Sequence, residues 1–394
     1  MSASALPLAG VRVVEFTHMV MGPSIGLILA DLGAEVTKVE PLEGDNTRRL
    51  TGAGAGYFAM YNRNKQSVAI DLKSEAGRQA VHRLLADADV LLENFRPGAM
   101  DALGFGAAAL AALNPRLIYC SAKGFLSGPY EHRTALDEVA QMMGGLAYMT
   151  GLPGRPMRAG SSVIDVTGAM FCVIGILAAL HQRHATGRGQ AVTASLYETT
   201  VFLVGQHMAQ CAATGQAPPP MSVRQSAWAV YDVFETADDE RVFAAVVSDT
   251  QWRKFCEDFG FAEFLADESL ARNTGRVQQR ERTLPVIRAR FAELNKAALM
   301  ARLEATGLPF APIARPQDLF DDPHLNAGGG LLDVTLPNGT ATRLPALPLE
   351  MDGRRFGLRS GLPAVGQHNR QRLLAGGLEA AEIDALVASG VLTA

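Results

Sequence analysis

Two short runs of β-branched and apolar residues, VRVVEFT (11–17) and EVTKVEP (35–41), enclose MGPSIGLILADLGA, which reads as a turn and a short helix. Strand, helix and strand in so little chain make a βαβ unit, and such a unit commits the chain to a parallel sheet with helices on its faces. No GxGxxG stretch accompanies it, so a dinucleotide site is poorly supported. Ligands of such sheets bind at the loops that follow the carboxyl ends of the strands, which points to residues 18–23.

The same alternation continues. SVAIDLK (67–73), EAGRQAVHRLLADA (75–88) and DVLLENF (89–95) read as strand, helix and strand, and RLIYCSA (116–122) as a later strand. Arg48, Arg63, Lys65, Lys73 and Arg96 fall in predicted loops. Cations so placed either clamp phosphates through charge and bidentate hydrogen bonds or are simply solvated.

Asp165 is the only acid between Glu138 and Glu198, and an apolar run follows it directly. The spacing predicts a helix that starts near Asp165, ends near His184 and stops at Gly187, followed by a strand, AVTASLY. A helix N-terminus offers unpaired N–H groups and a positive dipole end, so Asp165 is either a cap or a nucleophile. His181 and His184, in the last turn, suit the negative end of the dipole and read as structural.

With 394 residues, 48% of them hydrophobic and 19% charged, the chain has room for two domains and a buried core. A net charge of -4 leaves no basic footprint for nucleic acid. The longest apolar run, near 168–180, is shorter than a membrane span requires. The N-terminus lacks the pattern of a signal peptide. Cys120, Cys172, Cys211 and Cys256 are scattered, as expected of reduced thiols in a cytoplasmic protein, and no Cys/His grouping suggests a metal. The Pro-rich stretch 215–225 reads as a linker, dividing a large domain (1–214) from a small one (226–315), with 316–394 returning to the large domain.

LAGVRVVEFTHMVMGP, LADLGAEVTKVEP, NRNKQSVAIDLK, ADVLLENFRPG, LDEVAQMMGG, DVTGAMFCVIGILAALHQRHATGRGQ, GLPFAPI, DDPHL and GQHNRQRLL follow one another across nearly the whole chain. In this ordered set the sequence resembles the class III CoA-transferases, which include formyl-CoA transferases, carnitine CoA-transferases and, as a side branch, 2-methylacyl-CoA racemases. The resemblance implies an α/β fold: a Rossmann-like large domain with a parallel sheet, a smaller α+β domain, and a homodimer whose subunits interlock like rings of a chain. It implies CoA and acyl-CoA as substrates with a small carboxylic acid, and no permanently bound cofactor.

Asp165 falls on the family's nucleophile. His18, Met19, Val20, Arg63, Leu72, Lys73, Asn94, Phe95 and Arg96 lie in segments that line the family's CoA site, partly through backbone atoms. Asp137 lies where formyl-CoA transferases carry an acid beside the active site. Two departures stand out. Val20 replaces a Gln of the formyl-CoA transferases, and the region SAWAVYDVFETADDERVFAAVV lacks their Gly-rich loop.

The chemistry implied is a covalent relay. An Asp carboxylate attacks a thioester to give a mixed anhydride, then carries CoA as an aspartyl thioester to the acceptor acid. Oxyanion donors are expected from N–H groups near Asp165 or from the glycines of MMGG. Arg48, Arg49, Arg133 and Arg224 are candidates for a second carboxylate, which a succinyl-CoA donor would bring. The alternatives are a racemase, against which Leu136 stands in place of its His, with His132 four residues earlier, and a CoA-binding protein without turnover.

Overall fold

The computed structural model describes residues 6–223 and 226–394. Its contacts divide the chain into two compact units, the first running to Val223 and resuming at Pro323, the second lying between.

The first unit is built on six parallel strands: β1 (Arg12–Phe16), β2 (Glu35–Glu40), β3 (Lys65–Ala69), β4 (Val90–Glu93), β5 (Ile118–Lys123) and β6 (Ala191–Ser195). Their order, β3-β2-β1-β4-β5-β6, is that of a doubly wound Rossmann sheet. Side chains alternate across it. Val13 belongs to a core beneath α1 (Met21–Asp31), and Val14 to a core on the opposite face. Helix α2 (Glu75–Ala86) and the C-terminal helices Asn369–Ala375 and Ala380–Ala388 complete that second core.

The expected strand at 67–73 begins two residues earlier and ends at Ala69; Leu72 and Lys73 lie in a turn stapled by Arg78, which donates to both carbonyls. Glycines let α1 approach the strands. A Cβ on Gly22 would stand 2.7 Å from Thr17 and 2.8 Å from Asn94, and one on Gly26 would overlap Glu15.

Two further helices shape the site, α3 (Asp137–Met143) and α4 (Val163–Thr186). Helix α4 ends at Gly187, whose φ of 70° closes a left-handed cap. It starts two residues before Asp165, so Ser162 occupies the N-cap and Asp165 stands in the first turn. Helix α5 (Leu196–Thr214) follows β6. By length and composition α4 could cross a membrane, although the uninterrupted apolar run within it is shorter. It packs instead on α1, β5, β6 and α5.

The second unit holds an antiparallel sheet of β7 (Tyr231–Glu235), β8 (Arg241–Ala245) and β9 (Phe310–Pro312). Its helices, among them Asp249–Phe259 and Arg280–Ala292, close a core rich in Phe, including Phe234, Phe255, Phe259 and Phe291.

Candidate active site

Strand order reverses between β1 and β4, so the loops leaving their carboxyl ends diverge and open a crevice. A cavity of about 640 Å³ occupies this place. Its walls include His18, Met19 and Val20 after β1; Asn94, Phe95 and Arg96 after β4; Asp137 on α3; and Asp165 on α4. Eight residues drawn from four separate segments of the sequence thus meet at one cavity.

Three others do not meet there. Arg63 is 1% exposed and faces inward, its Nη2 2.7 Å from Asp31 and its Nε 3.3 Å from the same carboxylate. Leu72 and Lys73 are not among the cavity-lining residues. Two more of the basic residues in the predicted loops are also engaged internally. Lys65 lies within β3 and donates to Glu15, and Arg48 forms a two-pronged pair with Glu40. Arg49 donates to Glu43 and Asn46, and Arg224 lies outside the described residues. Of the four arginines considered for a second carboxylate, Arg133 lines the cavity, its guanidinium 5.0 Å from the Tyr130 ring centre.

The β1 loop is held from the β4 side. Asn94 accepts the His18 N–H at 3.0 Å and donates to the His18 carbonyl at 2.9 Å. The His18 ring packs on Phe95, with ring centres 5.7 Å apart. Burial desolvates the imidazole and lowers its pKa; Asp45 opposes the shift and Lys38 adds to it.

At the α4 mouth, Asp137 Oδ2 accepts the N–H groups of Ile164 at 2.9 Å and Asp165 at 3.2 Å, while its Oδ1 accepts from Gln141 at 2.6 Å. An acid on α3 therefore caps α4, and Asp165 does not. Two of the N–H groups near Asp165, where oxyanion donors are expected, are occupied by this carboxylate. The glycines of MMGG, Gly144 and Gly145, do not line the cavity, and Gly144 N–H bonds to Ala140.

The Asp165 carboxyl makes no hydrogen bond among the described residues, and it lines the cavity. Burial raises its pKa to about 7, the negative charge of Asp137 adds to the rise, and Arg158 opposes it. Arg158 Nη2 lies 3.5 Å from Asp137.

Tyr57, Lys123 and Arg158 also line the cavity, and sequence reasoning missed them. Lys123 closes β5 and bonds Glu93 and the Phe95 carbonyl. Its signal was a basic residue at the carboxyl end of a parallel strand. No local pattern marks Tyr57 or Arg158. Leu136 is 62% exposed at the cavity, and His132 lines it as well, 3.1 Å from Glu131.

The strand order and the crevice define a doubly wound α/β protein with a cavity at its switch point. Comparison with known proteins narrows this to a family: residues 8–369 match CoA-transferase family III. An acyl-CoA transferase of Fusarium pseudograminearum is 34% identical, the match covering 99% of this chain and 89% of that protein. A succinate–glutarate CoA-transferase of Agrobacterium fabrum is 32% identical over 93% of this chain and 95% of that one. The crystal structure of a CAIB/BAIF family protein from Brucella suis superposes with a TM-score of 0.83 at 33% identity, covering 94% of this chain and all of that one. The chain belongs to CoA-transferase family III and is a class III CoA-transferase.

Proposed function

We propose that this enzyme moves CoA from an acyl-CoA to a free carboxylic acid with Asp165 as the acyl and CoA carrier. The observation that carries the reading is a carboxyl without a hydrogen-bond partner among the described residues, on the wall of the switch-point cavity and poised to ionise near neutrality.

The ionised carboxylate attacks the thioester carbonyl; the C–S bond breaks, CoA leaves as thiolate, and a mixed anhydride remains on Asp165. The thiolate then attacks the aspartyl carbonyl, which releases the donor acid and leaves an aspartyl-CoA thioester. An acceptor carboxylate attacks that thioester, forming a second anhydride and freeing the thiolate. Attack of the thiolate on the acceptor's acyl carbon gives the new acyl-CoA and restores Asp165. Proton balance is neutral throughout, because every nucleophile and leaving group is an anion.

Arg96, Lys123 and the 18–20 loop line the end of the cavity that we assign to CoA. For the acids, a short dicarboxylate such as succinate is proposed, consistent with the name of the Agrobacterium relative, and Arg133 is the candidate for its distal carboxylate. A homodimer, with Met170, Ile174, Phe202 and Met208 in its interface, is part of the same reading, as is a cytoplasmic location for a chain with Cys120, Cys172 and Cys256 buried as thiols.

The test is intact-protein mass spectrometry after mixing with succinyl-CoA and with monocarboxylyl-CoA donors, followed by hydroxylamine trapping. An adduct mapping to Asp165, absent from Asp165→Ala, is expected. Arg133→Ala should weaken the succinyl reaction and spare the monocarboxylates. No adduct, together with deuterium uptake at the α-carbon in heavy water, would replace transfer by racemisation, for which His132 at the cavity would be the second proton carrier.

A further inference from the structure

The loop that walls the cavity after β1 rests on charged residues to which the covalent relay gives no part. Lys38, on β2, is fully buried. Its ammonium donates to the Thr17 carbonyl at 2.6 Å, immediately before the loop, and lies 2.9 Å from the Asp45 carboxylate and 3.7 Å from Glu15. Asp45, 4% exposed, extends this anchor: its Oδ1 accepts both the N–H of Thr47, at 2.9 Å, and the Thr47 hydroxyl.

With its own proton directed to Asp45, the Thr47 oxygen faces Met19 as an acceptor, and it takes the Met19 N–H at 3.4 Å. Met19 has a φ of 65°, in the left-handed region that a residue with a Cβ enters at a cost of about 1–2 kcal/mol. Such a conformation persists where its surroundings determine it. Asn94 grips the loop at His18, and Thr47 grips it one residue on, at the left-handed position itself.

We propose that Lys38, Asp45 and Thr47 are positioning residues: a buried relay that fixes residues 18–20 in the shape that receives the CoA portion of the substrate. The inference rests on the CoA-transferase reading. A purely structural role would change stability and leave the affinity of the folded enzyme alone, whereas positioning changes affinity in a protein that remains folded.

The comparison is between Thr47→Val, which removes the acceptor at similar volume, and Thr47→Ser, which keeps it. Thr47→Val is expected to weaken coenzyme A binding, measured by calorimetry on the full chain, about fivefold to tenfold, the size of one hydrogen bond. KM for the acyl-CoA should rise by the same factor while kcat stays within about twofold, the pattern of lost uniform binding. Thr47→Ser should restore both. Wild-type affinity in Thr47→Val, or equal weakening in Thr47→Ser, would overturn the relay, as would a lowered Tm with unchanged affinity. If wild-type protein did not bind coenzyme A, the functional reading would fall and take the relay with it. Loss confined to Thr47→Val would support both.

Discussion

A carboxylate in the first turn of a helix is ordinarily held ionised by the N–H groups and dipole around it. At Asp165 that help is diverted, because Asp137 takes the N–H groups of Ile164 and Asp165 and adds a negative charge beside them. Burial is the main cause of the raised pKa, the Asp137 charge adds to it, and Asp165 titrates near 7. With the Asp165 carboxylate as the proposed nucleophile, acylation of the enzyme should rise with pH through about 7 and level off above it. The same shift bears on stability. The folded pKa lies above the value of about 4 for a free carboxyl, so the folded state holds the proton more tightly, and stability falls as pH climbs from about 4 to about 7. Asp165→Asn removes that loss. Its Tm should exceed the wild-type value at pH 8, and the gain should vanish at pH 4. Calorimetric scans at the two pH values decide this, and equal Tm differences at both would show that Asp165 is not perturbed. Asp165 was conspicuous in the sequence as a solitary acid before an apolar run. That Asp137 caps the helix was not, because the capping acid comes from a helix 28 residues earlier.

At the scale of elements, strands and helices followed from periodicity, and the parallel order followed from their alternation. Arg96 lines the cavity, whereas Arg48, Arg63 and Lys65 are paired internally; sequence position does not tell a ligand-binding charge from one neutralised internally. Arg63 finds Asp31, the last residue of α1, and Lys65 finds Glu15 on β1, at separations of 32 and 50 residues. The available signal was the presence of Glu15, Lys38 and Glu40 inside runs otherwise fit for buried strands; charges there must neutralise one another. Asp31 and Arg63 tie the end of α1 to the entrance of β3, both nearly without exposure. Removing one partner leaves the other buried and unpaired, at a cost of about 3–5 kcal/mol. Arg63→Met should therefore lower the denaturant midpoint by that equivalent. The Kd of the surviving folded protein for coenzyme A should change less than twofold, a smaller effect than one lost hydrogen bond produces. A large loss of affinity with full stability would return Arg63 to the binding site.

At the scale of the whole molecule, the surface of α4 and α5 is the part that the fold of one chain does not explain. Ile174 is 59% exposed, Phe202 71% and Met208 58%, and Phe202 of α5 meets Phe171 of α4 edge to face at 5.4 Å, so both helices expose large apolar side chains and touch through two of their rings. Faces of this kind are covered by protein or by lipid. Insertion across a bilayer is opposed by the ends of α4. Its first turn is bound to Asp137 of α3, and near its last turn Arg183 pairs with Asp89 at 2.7 Å and donates to the Arg116 carbonyl, so both ends are fastened to the rest of the first unit. The proposed homodimer would cover the face with a second copy of the chain, and burying it symmetrically would remove large apolar side chains from water on both subunits. Light scattering should then give twice the mass of one chain, and Ile174→Glu with Phe202→Glu should shift it to the single-chain value. Flotation with phosphatidylcholine vesicles provides the contrast. Wild-type protein at single-chain mass that floats with vesicles would assign the face to lipid, and an unchanged dimer in the double variant would move the interface elsewhere on the molecule.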